Sequence, residues 1–448
     1  MKLWEKGYKL DQLVETFMTG DDPTLDQVLI TYDCYGSIAH AKMLEKIGVL
    51  TNEECIQLVQ ALTEIFQLAE EGKFTIQLED EDVHTAVENA LIQKLGTLGK
   101  KIHTARSRND QVLLDLRLYS RDMILLIMDA VLNACNVLCD FAKQHHAVPI
   151  PGRTHFQRAM PSSLGLWAGA FAESFLDDLE LFKTAYWLND QCPLGSAASY
   201  GVSLAIDRQI TSDLLGFRTV QNNVLYANNS RGKFETIILS ALVQVMNDLS
   251  KLCTDIIVFS APEFGYINLP EKFCPGSSLM PQKRNPCPLE LIRAKSATVQ
   301  GMLFQGLEII RGLPSGYNRD FQETKRPLMQ GFEVTLISIK VFTQIFSELS
   351  VNKDKCSDAF TSELFATDKV LEMVKKGYAF RDAYKEVSMN LSHVTTEDPV
   401  TNILSKTHQG TTGNLGIDAN ICKIIRYREW VEQLNEKWND QKRNLMIK

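Results

Sequence analysis

Four short stretches of this 448-residue chain hold the residue types that acid–base and anion chemistry requires. The fullest is Gly276-Ser277-Ser278-Leu279-Met280-Pro281-Gln282-Lys283-Arg284-Asn285-Pro286. Gly276 frees the backbone, two hydroxyls come next, and Lys283 and Asn285 can donate to an anion. Pro288 suits the first turn of a helix, and Glu290 falls in the same turn. A polar loop running into a helix N-terminus is an anion site on physical grounds. By itself it could equally be a flexible surface loop.

The second stretch, Gly152-Arg153-Thr154-His155-Phe156-Gln157-Arg158, sets a hydroxyl, an imidazole and two guanidiniums at the expected start of a helix. A lone histidine is more often structural than catalytic. The third, His103-Thr104-Ala105-Arg106-Ser107-Arg108-Asn109-Asp110-Gln111, is polar at eight of nine positions. A merely solvated helix end would favour Lys and Glu over Ser, Asn, Thr and His. The fourth, Asp82-Val83-His84-Thr85-Ala86-Val87-Glu88, puts His84 and Glu88 four apart on one helix face. With no third ligand in the pattern, no metal is expected there.

Long helices must position these stretches. Lys100–Val148 runs 49 residues without Gly or Pro, about 70 Å if wholly helical. Its middle, 123–142, is apolar nearly all round, as in a helix packed on several sides. Residues 170–192, 233–261 and 332–376 also lack both breakers. No segment alternates with period two over β-branched residues, so the expected class is all-α. Gly and Pro gather at 149–161, 193–201, 262–288 and 312–316, the loops where function collects on a rigid scaffold. This divides the chain into a mixed N-terminal domain (1–100), a central long-helix bundle domain (101–360) and a C-terminal helical domain (361–448). Helices apolar on more than one side imply association between subunits.

The 47 Lys and Arg residues against 55 Asp and Glu give a net charge of −8, which argues against a nucleic-acid binder. The opening, Met1–Leu10, has three lysines and no apolar core, unlike a signal peptide. No apolar run approaches the length of a membrane span. Ten cysteines without metal spacing read as reduced, mostly buried thiols, so a cytoplasmic protein is expected.

The Gly276–Pro286 loop resembles the signature of the fumarase/aspartase superfamily, whose members eliminate fumarate from succinyl compounds. Gln282 in Met280-Pro281-Gln282-Lys283 is similar to the argininosuccinate lyase and δ-crystallin branch, since fumarases and aspartases have Gly there. The 103–111 run, Asp82-Val83-His84-Thr85, Thr154-His155, Pro193-Leu194-Gly195-Ser196-Ala197-Ala198 and Tyr317-Asn318-Arg319-Asp320-Phe321-Gln322 match that branch in the same order. The likeness spans Asp26 to Asp382, about four-fifths of the chain.

The resemblance implies that argininosuccinate is split into arginine and fumarate without a cofactor. A proton leaves the carbon beside a carboxylate, giving an aci-carboxylate that fixed donors must stabilise. Ser277 would be the base, its alkoxide supported by Lys283, Asn285 and loop closure. His155, oriented by Glu290, would act as acid or electrostatic partner. Ser107, Arg108, Asn109, Thr154 and Lys283 would hold the succinyl carboxylates. Asp26, Tyr317, Gln322 and Lys325 would hold the arginine end, Asp26 facing a cation and Lys325 the α-carboxylate. His84 would sit at the site's edge. The family implies a homotetramer with three subunits contributing to each site.

The chain departs from that pattern in places. Trp4-Glu5-Lys6-Gly7-Tyr8 replaces Trp-Gly-Gly-Arg-Phe, Asp22 stands where serine is common, and Arg153 takes a usually aromatic position. Arg231-Gly232-Lys233 replaces Arg-Asp-Phe, so no arginine contact is carried over there. These keep two alternatives open: a lyase releasing fumarate from another N-succinyl compound, and a non-catalytic crystallin-like homologue. A nucleotide enzyme is disfavoured, because Phe234 comes after Gly232-Lys233 where Walker A needs Ser or Thr.

Overall fold

The computed structural model describes residues 11–446; the altered opening motif Trp4–Tyr8 lies outside them. The principal helices are α1 (Ile30–Lys46), α2 (Asn52–Glu70), α3 (Val83–Leu95) and α4 (Arg108–Gln144). A hairpin, β1 (Pro149–Thr154) and β2 (Gln157–Ser163), leads into α5 (Leu164–Asn189) and α6 (Lys233–Ser260). Then come α7 (Cys287–Ile310), α8 (Lys325–Phe346) and α9 (Ile417–Met446). Strands occur among the described residues only in three two-stranded pieces. The architecture is helical.

Local chemistry sets the helix ends. The longest breaker-free run starts its helix at Arg108, not Lys100, because Ala105 turns the chain at φ +62° and Ser107 caps α4. Ser107 Oγ accepts from the Asn109 amide, while the Ser107 amide donates to Asp110 Oδ1 at 2.9 Å, which closes a capping box. Gly232, at φ +81°, precedes α6; a Cβ there would lie 2.2 Å from Ile310 Cγ2, so only glycine lets α6 and α7 approach.

Two expectations need correction. The 152–158 stretch is a hairpin, not a helix start. Pro149, Pro151 and Pro161 hold the residues before them extended, and Thr154 pairs with Gln157 across a two-residue turn. The 332–376 run is not one helix either. After α8 the chain pairs Ser350–Val351 with Ile267–Asn268, and Asn352 caps a new short helix, so polar capping does the work of Gly or Pro.

The helices of the bundle alternate in direction. At one end Arg117 Nη1 donates to the Asn189 carbonyl (3.0 Å), Asn189 Nδ2 to the Arg117 carbonyl (2.8 Å), and Arg117 Nη2 to Ser230 Oγ (3.2 Å). This front end gathers the starts of α4, α6 and α8 and the ends of α5 and α7. At the back end Trp167 Nε1 donates to Asp255 Oδ2 at 3.0 Å, and Phe141 packs on Trp167 and Phe346. A 28-residue α6 separates the ends by about 42 Å.

Windows of α4 and α6 are apolar and long enough to cross a membrane, but 67 % and 61 % of those windows are buried inside the fold, as in core helices. Residues 361–446 divide between two cores. Leu364, Phe365, Val370, Ala383, Val387 and Val394 make a small one, while Ile424, Val431, Trp438 and Leu445 of α9 join the main one.

Candidate active site

The front end assembles most of the expected substrate-binding residues. Arg108, in the first turn of α4, donates to Thr85 Oγ1 at 2.7 Å and pairs with Asp82 (3.2 Å) and Glu81 (3.4 Å). Glu81, at φ +69°, also takes Arg319 at 3.0 Å, so one carboxylate bridges two guanidiniums. Asn109 has no side-chain hydrogen bond among the described residues and is half-buried, leaving its amide available.

Asp110 is the residue that sequence reasoning left without a role. Wholly buried, it receives the amides of Gly195 and Ala197 at 2.9 Å each on its second oxygen, fastening the 193–201 loop to the start of α4. Burial pushes its carboxyl pKa up, against the pull of these amides and Arg106. Ala197 and Ser199 are held at φ +51° and +82°. Ser199 Oγ accepts from the Tyr317 amide (3.1 Å), Asn229 Oδ1 from the Gly316 amide (2.7 Å), and Gln322 Nε2 donates to the Met18 carbonyl (3.0 Å). The capping-box spacing from Ser107 to Asp110 was the available signal.

Three expected site residues lie deeper than expected. Lys325 (1 % exposed) donates to Asp22 at 2.9 Å and to Asp26, which is fully buried and also accepts the Val83 amide. The cation that Asp26 faces is therefore Lys325 of its own chain. Burial alone would lower the Lys325 pKa, but the charges of Asp26 and Asp22 raise it, so the ammonium persists. Burial pushes the Asp22 carboxyl up even with Lys325 beside it.

His84 is the third, and it is 3 % exposed rather than at an open edge. Its Nδ1 lies 2.9 Å from Asp33 Oδ1 and 3.7 Å from Asp115 Oδ2. Burial would lower its pKa, yet the Asp33 hydrogen bond and the charges of Asp33, Asp115 and Asp82 raise it to about 9. Burial and the Asp33 charge push Asp115 well up. Among the described residues this trio alone has cation-ligand spacing. Its own imidazolium and the neighbouring Arg106 guanidinium already supply countercharge.

The charge on His84 should be visible in stability. A pKa raised from 6.5 to about 9 gives a contribution that is full below about pH 6.5 and fades as pH climbs through about 9. The shift corresponds to on the order of 3 kcal/mol. Urea unfolding should give a lower midpoint at about pH 9 than at about pH 7, with a shallower fall in His84→Gln. Parallel pH profiles for the two proteins would show that His84 is not charged in the fold.

The back end holds the other two stretches. His155 and Phe156 form the hairpin turn at φ +52° and +60°, values that Asn-Gly would more easily adopt. Arg153 supports this strained pair: its Nη1 donates to the Phe156 carbonyl at 3.0 Å, and its guanidinium lies 4.9 Å from the Phe264 ring. Thr154 and His155 are exposed, and His155 has no hydrogen-bond or ion-pair partner among the described residues. Glu290, exposed in the first turn of α7, is not bonded to it.

Ser277, half-buried, is held by its own loop. Its Oγ accepts the amides of Met280 at 3.1 Å and Leu279 at 3.3 Å, donors that favour an anionic oxygen. The loop is closed at its base by an Asn285 amide to Pro275 carbonyl bond (3.1 Å) and an antiparallel Gly276–Arg284 bridge. Lys283 is exposed and Asn285 half-buried. One chain thus gathers Asp26, His84, Ser107, Arg108, Asn109, Tyr317, Gln322 and Lys325 at the front, and Thr154, His155, Ser277, Lys283, Asn285 and Glu290 at the back.

A lyase family model matches residues 8–301. Argininosuccinate lyase of Thermotoga neapolitana is 46 % identical over 387 residues, covering 86 % of this chain and 97 % of its own. That of Parabacteroides distasonis is 43 % identical, covering 92 % of each chain. Among solved structures, an EDDS lyase in complex with formate superposes with a TM-score of 0.83 at 23 % identity, over 98 % of this chain and 95 % of that one. A class II fumarase from Schistosoma mansoni gives 0.72 at 16 % identity, over 91 % and 97 %. Both likenesses are of fold.

Proposed function

Because the chain belongs to the argininosuccinate lyase family, we propose that it splits argininosuccinate into arginine and fumarate with Ser277 as the base. The reading is carried by one observation: the Ser277 oxygen receives two backbone amides on a loop that also bears Lys283 and Asn285. A free serine hydroxyl is far too weak a base, so its alkoxide needs fixed donors and a nearby cation. Lys283 and Asn285 meet the charge developing on the substrate carboxylate, and closure of the loop excludes water. The proton goes from the carbon to Ser277 Oγ, and the C–N bond electrons leave with the guanidinium nitrogen. That group is cationic as a leaving group and needs less acid help, so His155 serves as acid or as electrostatic partner, and Glu290, unbonded to it within one chain, turns it only where two subunits meet.

Ser107, Arg108, Asn109 and Thr154 hold the succinyl carboxylates, while Tyr317, Gln322, Asp26 and Lys325 frame the arginine end. Lys325 is committed to Asp22 and Asp26, so it meets the α-carboxylate by exchanging Asp22 for it. His84, behind Arg108 and Thr85, holds position rather than touching substrate.

Groups about 42 Å apart cannot act on one small molecule. This separation supports a homotetramer whose sites combine front ends and back ends of different subunits. So do Leu291, Phe304 and Leu307 on α7, exposed at 59 %, 58 % and 42 % in a single chain. The division at about residues 100 and 360, with α9 packed back onto the main core, a cytoplasmic location and independence of metal and cofactor complete the reading. The test is ultraviolet detection of fumarate from argininosuccinate and purified protein. Absence of signal at high enzyme would overturn the proposal, and fumarate from a different N-succinyl compound alone would transfer it to another substrate.

A further inference from the structure

The front end holds a charge imbalance that proton removal does not explain. Lys325, the first residue of α8, donates to Asp22 Oδ1 at 2.9 Å and to Asp26 Oδ1. One ammonium thus meets two carboxylates, and the trio carries a negative charge to spare. The neighbouring cations have countercharges of their own. Arg326 pairs with Asp21, Arg319 with Glu81 at 3.0 Å, and Arg231, whose charge Asp22 also feels, is opposed by buried Glu235.

Asp22 is held by more than Lys325. Arg319 Nη2 and Gln322 Nε2 both donate to the Met18 carbonyl, at 2.8 and 3.0 Å, which clamps the segment before Asp22 onto the turn before α8. The three charges lie at different depths. The Asp22 side chain is 15 % exposed, those of Lys325 and Asp26 1 % each, so a molecule arriving from solvent meets Asp22 before Lys325. Burial pushes the Asp22 carboxyl pKa up, Lys325 pulls it down, and Asp26 pushes it up again, as in a carboxylate short of a cation.

We infer that Asp22 makes the site selective for an arginine end that carries its α-ammonium, which pairs with Asp22 as the α-carboxylate takes Lys325. The inference rests on the reading of Lys325 as partner of the α-carboxylate. A lone carboxylate entering here would add a second surplus negative charge to a site largely shielded from water, and like charges so placed repel strongly. A zwitterion adds no net charge. It opens the Lys325–Asp22 pair and gives each member a new partner, while Asp26 stays on Lys325. The charges then alternate in sign from Asp26 through Lys325, the α-carboxylate and the α-ammonium to Asp22.

The reaction run towards addition gives the test, with fumarate loss followed by ultraviolet absorbance on the full-length protein. Three guanidines are compared: arginine, 5-guanidinopentanoate, which lacks the α-ammonium, and agmatine, which lacks the carboxylate. The parent should prefer arginine to 5-guanidinopentanoate by about 10²-fold or more in kcat/KM. Asp22→Ser, which leaves Lys325 and Asp26 one to one, should narrow that ratio by about tenfold or more, chiefly through KM, with no gain for agmatine. Asp22→Asn, of equal size but uncharged, should behave like Asp22→Ser. A parent that uses 5-guanidinopentanoate as well as arginine overturns the proposal. So does a ratio unchanged in either variant, or a gain for agmatine equal to that for 5-guanidinopentanoate. Failure of the lyase reading is distinct: the parent then consumes no fumarate with arginine itself.

Discussion

Replacing Ser277 by alanine is expected to lower kcat by about 10³-fold, with KM changed far less. The substitution removes one oxygen from a side chain on a loop whose base is held by backbone bonds, so the fold has little reason to change. What is lost is the only atom on which the Met280 and Leu279 amides converge. In the proposed mechanism Lys283 and Asn285 remain to hold the ground-state carboxylate, so affinity should survive while proton removal should not. Steady-state kinetics with argininosuccinate checks the ratio, and calorimetric titration with fumarate plus arginine checks retained binding. An alanine variant as active as the parent would move the base to another residue.

The second large effect concerns mixtures. Asn109→Ala alters the front end at a side chain with no internal partner among the described residues, and loss of such a donor typically costs about 10²–10³-fold. Ser277→Ala alters the back end. Unfolded together and refolded, the two weak proteins should recover about a quarter of parental activity, because a site drawing its halves from different chains at random is intact one time in four. Each variant refolded alone should stay weak. No recovery in the mixture would mean that one chain supplies both halves, against an axial separation of about 42 Å.

Where the helices lie was legible wherever burial and breakers agreed. The breaker-free 233–261 run became α6 at Lys233–Ser260 almost residue for residue. Absence of Gly and Pro misled where polar caps ended helices or began them, as at Asn352 and Ser107. It also misled at the hairpin, where prolines enforced extension. Residue types and order singled out the candidate residues, but not their internal pairings. Lys325 is claimed by Asp22 and Asp26, residues about 300 positions away. No local pattern announces such a partner. Asp33 and Asp115 were passed over because each sits within an apolar helical run. A carboxylate in such a run, with nothing nearby to pair with, was itself the missed sign of a distant imidazole.

The last long helix, α9, lies across the earliest parts of the molecule. Trp438 packs on Tyr35 with ring centres 5.7 Å apart and lies under the Arg121 guanidinium at 3.9 Å, while Arg428 reaches Asp129 at 3.1 Å. These partners are separated by some 300 to 400 positions, so the groove on α1 and α4 stays wet for most of translation. The nascent chain carries that open seam until α9 emerges, a late non-local closure of the kind that slows folding and leaves a surface for chaperones to shield.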